Sequence, residues 1–213
     1  MTDFFFSFDT LSHDPYSGPV LCMTYCCVDT VHEHTHVFGR TTPSTYFLKL
    51  VDNVKFIKFD VADQIENYAK KPSREVLSFW KESEERMRYL KPLKIDKPIS
   101  SLYDEISNYL IDYGLGGYQD VNRVFVRGAH YHPVFLKRLC MDIRKPELFP
   151  EWSYIDIRSY IEGLTIGQMY HAFIPNDLKG VYNEYDVRHK IAIDIYRIVS
   201  LMNELQEDDD VPF

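Results

Sequence analysis

An apolar run at residues 4–9, which reads Phe-Phe-Phe-Ser-Phe-Asp, limits the folds open to this chain more than any other segment. Both faces of such a strand are apolar, so it needs cover on both sides, as a central strand of a sheet has. A turn signal, Asp-Pro-Tyr-Ser-Gly-Pro, follows at residues 14–19. Residues 20–28 are again almost entirely apolar and predict a second strand beside the first.

Further along the chain the apolar spacing changes to the helical period. A segment that opens at Ser73 places Val76, Leu77 and Trp80 on one side. The clearest helical stripe runs through residues 187–205. The remaining segments are predicted as strands at 45–51 and 123–127, helices at 99–113 (capped by Ser100 or Ser101) and 134–141, and one further element beginning at 152–157. This order predicts an α/β fold, a mixed central sheet flanked by helices.

Composition favours one domain. The 213 residues are 45% hydrophobic, and we expect a single domain at residues 1–206 followed by an acidic tail at 207–213. No run of about 18 apolar residues is present and no basic segment precedes the apolar start, so we expect a cytoplasmic protein without a membrane span or signal peptide. The four cysteines lack a C-x-x-C pair and predict buried free thiols.

Acidic residues in two distant segments indicate a metal-dependent nuclease. Asp9 ends the first strand, and a His-x-x-x-x-Asp pattern joins His189 to Asp194 in the last helix. Phosphodiester cleavage by two metals needs carboxylates that converge on cations about 3.5–4 Å apart. A histidine beside them can take a proton from the attacking water. Residues i and i+2 of a strand face the same side, so position 11 belongs to such a site as well.

Several segments carry a family resemblance in the same order along the chain. They are Phe-Asp-Thr at 8–10, Phe-Trp-Lys at 79–81, Val-Arg-Gly-Ala-His-Tyr-His at 126–132, Asp-Ile-Arg-Ser-Tyr-Ile-Glu at 156–162 and His-Lys-Ile-Ala-Ile-Asp at 189–194. With them the chain resembles the DEDDh class of 3′-5′ exonucleases, which have a ribonuclease H-like fold. Within that class it is similar to the exodeoxyribonuclease A family of T4-like phages and its bacterial exoribonuclease relatives.

The resemblance implies a phage-encoded protein that acts on DNA or RNA 3′ ends in the host cytoplasm, with Mg²⁺ or Mn²⁺ as cofactor. It implies that Asp9 and Asp194 bind the metal and that His189 is the general base. The basic residues expected to contact nucleic acid are Arg127, Arg158 and Lys190.

Two positions depart from the family pattern. Leu11 stands where the first motif has glutamate, and His132 stands where the second motif has aspartate. The remaining Asp9 and Asp194 supply a charge of −2 against the +4 of two divalent cations, and an uncompensated charge is costly in a partly closed site. We therefore expect nuclease activity to be weak or lost.

Three outcomes are compatible with these departures. One metal is held by Asp9, Asp194 and the substitute ligand His132, or a replacement ligand comes from His130 or Asp186. Alternatively, no cofactor is bound and the chain is an inactive pseudo-nuclease that binds a host protein or nucleoprotein complex. The net charge of −8 suits a protein partner as well as a short nucleic-acid end.

A second histidine group occurs at His32, His34 and His36. On a strand these residues share a face, and three imidazoles can hold zinc. Because no fitting fourth ligand is visible in the sequence, we expect a solvated hairpin tip here instead.

Overall fold

Five strands form one sheet in the order β3-β2-β1-β4-β5 in this computed structural model, which describes residues 2–37, 40–165 and 174–209. The strands are β1 (Thr2–Thr10), β2 (Val20–Val28), β3 (Lys55–Lys58), β4 (Val121–Val126) and β5 (Tyr154–Asp156). The central strand β1 pairs antiparallel with β2 and parallel with β4. Phe5 thus lies opposite Cys26 on one side and Phe125 on the other.

Helices cover both faces of the sheet. They are α1 (Thr30–His32), α2 (Pro43–Asn53), α3 (Val61–Tyr68), α4 (Arg74–Trp80), α5 (Glu84–Leu90), α6 (Leu102–Asp112), α7 (His132–Asp142), α8 (Ile157–Leu164) and α9 (Val187–Asp209). Phe4, Phe6 and Phe8 pack with α6 and α7, whereas Phe5 packs with α2, α8 and α9 and stacks on Phe125 with ring centroids 4.6 Å apart. The predicted α/β architecture and the doubly covered first strand are confirmed.

The prediction of a strand at residues 45–51 is wrong, because this segment belongs to α2. The Thr42 hydroxyl accepts a hydrogen bond from the Thr45 amide at 3.3 Å, and Pro43 occupies the first turn, which are both helix-start signals. The buried side chains have helical rather than alternating spacing: Tyr46, Phe47, Leu50 and Val51. The third strand is instead β3, in a stretch of mixed charge.

The prediction of a hairpin tip at the second histidine group is also wrong. Asp29 caps α1 by accepting a hydrogen bond from the His32 amide at 2.9 Å, and a π-helical turn, Glu33–Val37, follows directly. A helical turn does not align alternate residues on one face, so the strand argument for a three-histidine zinc site does not apply.

The last helix is longer than predicted, since α9 continues to Asp209, and residues 210–213 of the predicted tail lie outside the described residues. The domain boundary at residue 206 stays a prediction. All four cysteines are free and buried, as expected. Within the described part of the chain, no helix combines the length and apolar character that crossing a membrane requires.

Candidate functional site

A cleft of about 480 Å³ lies where β1 and β4 end. Asp9 of β1 and Arg127, which follows β4, line its floor. His132 at the start of α7 and Lys190 in the first turn of α9 also line it, and Trp80 of α4 forms part of its wall. The parallel pairing of β1 with β4 explains the location, because parallel strands bring their carboxyl ends to the same edge of a sheet.

Asp9 is paired with a cation of its own chain. Its Oδ1 accepts a hydrogen bond from Lys190 Nζ at 2.6 Å, and its side chain is 14% exposed. The Cys22 thiol donates weakly to Asp9 Oδ2 at 3.8 Å, and burial raises the pKa of this thiol well above its usual range, so it stays neutral. Lys190 therefore supplies the positive charge that compensates Asp9.

Asp194 is paired in the same way, one turn further along α9. Its fully buried carboxylate accepts two hydrogen bonds from Arg127, from Nε at 2.5 Å and from Nη2 at 2.8 Å. Arg197 Nη1 lies 3.7 Å from the same carboxylate. Arg127 also donates to the Lys190 carbonyl at 2.8 Å and so ties the end of β4 to α9. The two acids expected from sequence are thus joined through Lys190 and Arg127 at one end of the sheet.

The donor set does not fit a divalent metal centre. Among the described residues, no group of three or more His, Cys, Asp or Glu side chains is placed to hold a metal ion. At an effective dielectric of about 20, a divalent cation about 4 Å from the Lys190 ammonium would be repelled by about 8 kcal/mol. Asp9 and Asp194 already form short, charge-assisted hydrogen bonds, which a metal would have to break.

His132 is engaged by the backbone. Its Nδ1 accepts a hydrogen bond from the Phe8 amide at 3.2 Å, so the proton of the neutral ring lies on Nε2. Burial lowers the pKa of His132 to about 4, which keeps the ring neutral near pH 7. In this arrangement neither nitrogen presents a lone pair to a cation, and the substitute-ligand role of His132 gains no support from the geometry.

His189 packs beside α2. Its Nδ1 accepts a hydrogen bond from the Asn183 amide at 3.1 Å, and its ring lies against Phe47 and Tyr182, with centroids 5.2 Å and 5.8 Å away. Burial lowers the pKa of this imidazole. The described residues that line the cleft do not include His189, whereas its neighbour Lys190 is among them. The general-base role of His189 stays a prediction.

The alternative ligands also lie elsewhere. His130 lines a separate groove beside Glu147, and Asp186 forms an ion pair with Arg188 Nη2 at 2.7 Å before α9 begins. Neither is among the described residues that line the cleft. Leu11 is buried in a small apolar cluster with Trp80, so the position at which the sequence resemblance predicts a glutamate is part of the packing under α4.

The three predicted nucleic-acid contacts are divided between two cavities. Lys190 lines the cleft, and Arg158 lines a neighbouring cavity of about 390 Å³ together with Arg197. Arg127 lines both cavities. The two cavities thus share Arg127 as a lining residue, and acidic residues, Asp156 in one and Glu75 in the other, also line them.

An aromatic wall of the cleft was only partly visible in the sequence. Trp80 Nε1 donates to the Thr10 carbonyl at 3.1 Å, which fixes α4 against the end of β1. Beside it, the ring of Phe79 is 46% exposed and stacks under the Arg86 guanidinium at 4.1 Å. Tyr131 closes the other side through a hydrogen bond with the Thr10 hydroxyl at 2.9 Å. The sequence signals for this wall were the Phe-Trp pair at 79–80 and the segment at 126–132, which contains Tyr131.

No protein-family model and no curated protein sequence matches the chain. Solved structures do match. The zinc-bound E. coli exonuclease I–ssDNA complex superposes with a TM-score of 0.53 at 9% identity, covering 99% of this chain and 41% of that one. The nuclease domain of 3′hExo, a DEDDh family member bound to rAMP, superposes with a TM-score of 0.52 at 12% identity, covering 97% of this chain and 92% of that one.

The chain spans about two fifths of exonuclease I and nearly all of the 3′hExo nuclease domain. Because the identities are only 9% and 12%, these similarities establish the fold and nothing further. The predicted ribonuclease H-like fold, shared with DEDDh exonucleases, is confirmed as the fold of this chain.

Proposed function

We propose that this protein binds the 3′ ends of single-stranded nucleic acid in the cleft and hydrolyses them weakly or not at all with Mg²⁺ or Mn²⁺. The observation that carries the proposal is the pairing of both family acids with cations of the same chain, Asp9 with Lys190 and Asp194 with Arg127. The fold supports the binding half of the proposal, and these ion pairs support the loss of hydrolysis.

The walls of the cleft suit a terminal nucleotide. The ring of Phe79 is 46% exposed although the Arg86 guanidinium lies over it, and it offers aromatic surface to a base. Lys190 offers donors to phosphate oxygens. A volume of about 480 Å³ falls within the range of small-ligand sites. A site of this size accommodates the end of a strand, which agrees with the net charge of −8.

Hydrolysis needs a positioned water, a base and cations that stabilise the charge of the transition state. The carboxylates that would collect those cations are engaged, and Leu11 and His132 replace two others. Ammonium and guanidinium groups bind phosphate but do not lower the pKa of water as a metal does. The geometry therefore favours retention of the ligand over its cleavage.

Binding and cleavage are separated with one labelled oligonucleotide, prepared as DNA and as RNA. Fluorescence anisotropy should show that linear single strands bind about tenfold or more tightly than covalently closed circles of the same sequence, because only linear strands have an end. Phe79→Ala should weaken binding by about tenfold, the value of one stacked base. Tyr118→Ala is the matched control, since Tyr118 is 42% exposed and precedes β4 at the opposite edge of the sheet.

Denaturing gels with Mg²⁺ or Mn²⁺ should show little or no shortening of the same strands. Rapid shortening that Asp9→Asn abolishes would contradict the loss of hydrolysis. Equal affinity for circles and linear strands would contradict end recognition.

A further inference from the structure

The ion pair between Lys190 and Asp9 differs from an ordinary surface pair, because its ammonium borders a cavity while its carboxylate is mostly buried. The Lys190 side chain is 29% exposed and lines the cleft, whereas the Asp9 carboxylate is 14% exposed. Lys190 precedes Asp194 by four residues on α9, so both lie on one face of the helix. The Lys190 ammonium therefore lies against Asp9 at the lining of the cavity, one helical turn before Asp194.

We propose that Lys190, supported by Arg127, is a built-in counterion at the place of a divalent cation, and that the cleft binds the phosphate of a nucleoside 5′-monophosphate unit directly and without metal. This inference rests on the proposed function for its ligand class. It adds that the site needs no cofactor for binding and names the residue that replaces the cofactor.

The donor count supports this role for Lys190. An ammonium has three N–H donors, and Asp9 accepts one of them. The other two remain for phosphate oxygens on the open side of the cleft. Arg127, in contrast, uses Nε and Nη2 on Asp194 and the Lys190 carbonyl, so its main contribution is to hold α9 and its charge in position.

The charge balance points the same way. Asp9 and Asp194 together carry −2, and Lys190 and Arg127 together carry +2. Arg197 adds a positive charge 3.7 Å from Asp194, and Glu75 adds a negative charge to the cleft lining. At Asp9 an incoming phosphate therefore meets the Lys190 ammonium and a paired carboxylate rather than a cluster of unpaired carboxylates. A two-metal centre has the opposite design, because its carboxylates repel phosphate until cations are bound.

These two designs predict opposite effects for one substitution. In a metal centre, Asp9→Asn removes a ligand and weakens nucleotide binding. In the built-in counterion design, Asp9→Asn removes a competitor for the Lys190 ammonium and strengthens nucleotide binding, by about fivefold if the pair is worth about 1 kcal/mol. The sign of the change decides between them.

The test is calorimetric titration of the full chain with adenosine 5′-monophosphate, in EDTA and then in Mg²⁺ or Mn²⁺. We expect the same affinity in all three conditions. Lys190→Met should weaken binding by about tenfold or more, because a charge-assisted hydrogen bond is lost, and Lys190→Arg should restore most of it. Lys49→Met is the matched control, since Lys49 is an exposed lysine in the middle of α2.

A second readout does not depend on the nucleotide. Electron paramagnetic resonance should show that the wild-type protein and Asp9→Asn bind Mn²⁺ with the same stoichiometry and affinity. An additional Mn²⁺ site that Asp9→Asn removes would overturn the inference. So would nucleotide binding that requires metal, or that Lys190→Met leaves unchanged.

Failure of the inference differs from failure of the proposed function. Binding of strand ends that depends on metal retains the proposed function and overturns the built-in counterion. Absence of binding to either the monophosphate or the strands, in every condition, overturns both.

Discussion

The central strand β1 carries an aspartate near each end, and the two differ in burial and in the number of their hydrogen-bond partners. Asp3 is fully buried and accepts hydrogen bonds from Thr30, Asn122 and Arg123, the last at 2.9 Å from Nε and 2.7 Å from Nη2. Asp9 has one short hydrogen bond, from Lys190, and faces a cavity.

A structural ion pair can be distinguished from a functional one by the hydrogen-bonding capacity that it leaves for a ligand. A carboxylate that is enclosed and fully hydrogen-bonded has no capacity left for a ligand, so Asp3 forms a structural ion pair whose loss of one partner is costly. A carboxylate whose cation still has spare donors beside open space can exchange partners. Both aspartates lie on the same strand, so only their surroundings make the distinction.

The largest effect should come from the enclosed pair. Arg123→Met leaves the Asp3 carboxylate buried without its cation and should lower the free energy of unfolding by about 3–5 kcal/mol. Urea denaturation followed by circular dichroism measures this change. A loss below that of a surface ion pair would show that the two ends of β1 do not differ as described.

The open end should respond to pH through His132, whose folded pKa is about 4 against about 6.5 in the unfolded chain. Between these values His132 is protonated in the unfolded chain but neutral in the folded protein. The free energy of unfolding therefore falls as the pH falls from about 6.5 to about 4. The expected loss is about 3 kcal/mol and is complete below the folded pKa. Above pH 6.5 this group should contribute no pH dependence.

The control for that pH effect is His132→Asn. Its side-chain oxygen can still accept the Phe8 amide, but the group does not titrate. Urea midpoints measured across this range should therefore fall less steeply for the variant than for the wild type. Identical pH profiles would assign the acid sensitivity to other groups.

The smallest effect on stability should come from Lys190→Met, the counterpart of Arg123→Met at the open end. Because the pair is partly exposed, we expect a loss of about 1 kcal/mol or less. The same variant should lose nucleotide binding. Lys190→Met is thus expected to affect binding strongly and stability weakly, whereas Arg123→Met is expected to affect stability strongly. A destabilisation as large as that of Arg123→Met would make Lys190 a structural residue.

Several elements could be predicted because their signals are local. The second strand was predicted with its observed bounds, Val20–Val28, since a continuous apolar run between turn residues has few alternatives. The start of α4 at Ser73 was predicted from the helical spacing of Val76, Leu77 and Trp80. In the structure the Ser73 hydroxyl caps the helix by accepting the Val76 amide at 3.2 Å. The segment at 45–51 was mistaken for a strand because its residues have high strand propensity, which packing against α9 overrode.

The convergence of residues singled out in the sequence is observed, whereas their roles in a site stay a prediction. Asp9, Asp194, Arg127 and Lys190 do meet, but their pairing as two ion pairs has no sequence signature, because each pair joins segments more than sixty residues apart. The sequence also did not reveal which of His189 and Lys190 faces the cleft. Neighbouring helix residues point about 100° apart, so a small rotation of α9 decides which of them faces the cleft.

The α/β layering, the doubly covered first strand and the order of the acidic motifs could be read from the sequence, because they depend on apolar period and residue type along the chain. Which charge neutralises which became evident only in the folded structure, since it depends on distances across the sheet edge and on the side chains left exposed there. Those distances made Asp3 part of the framework and left Asp9 and Lys190 at the edge of a cavity.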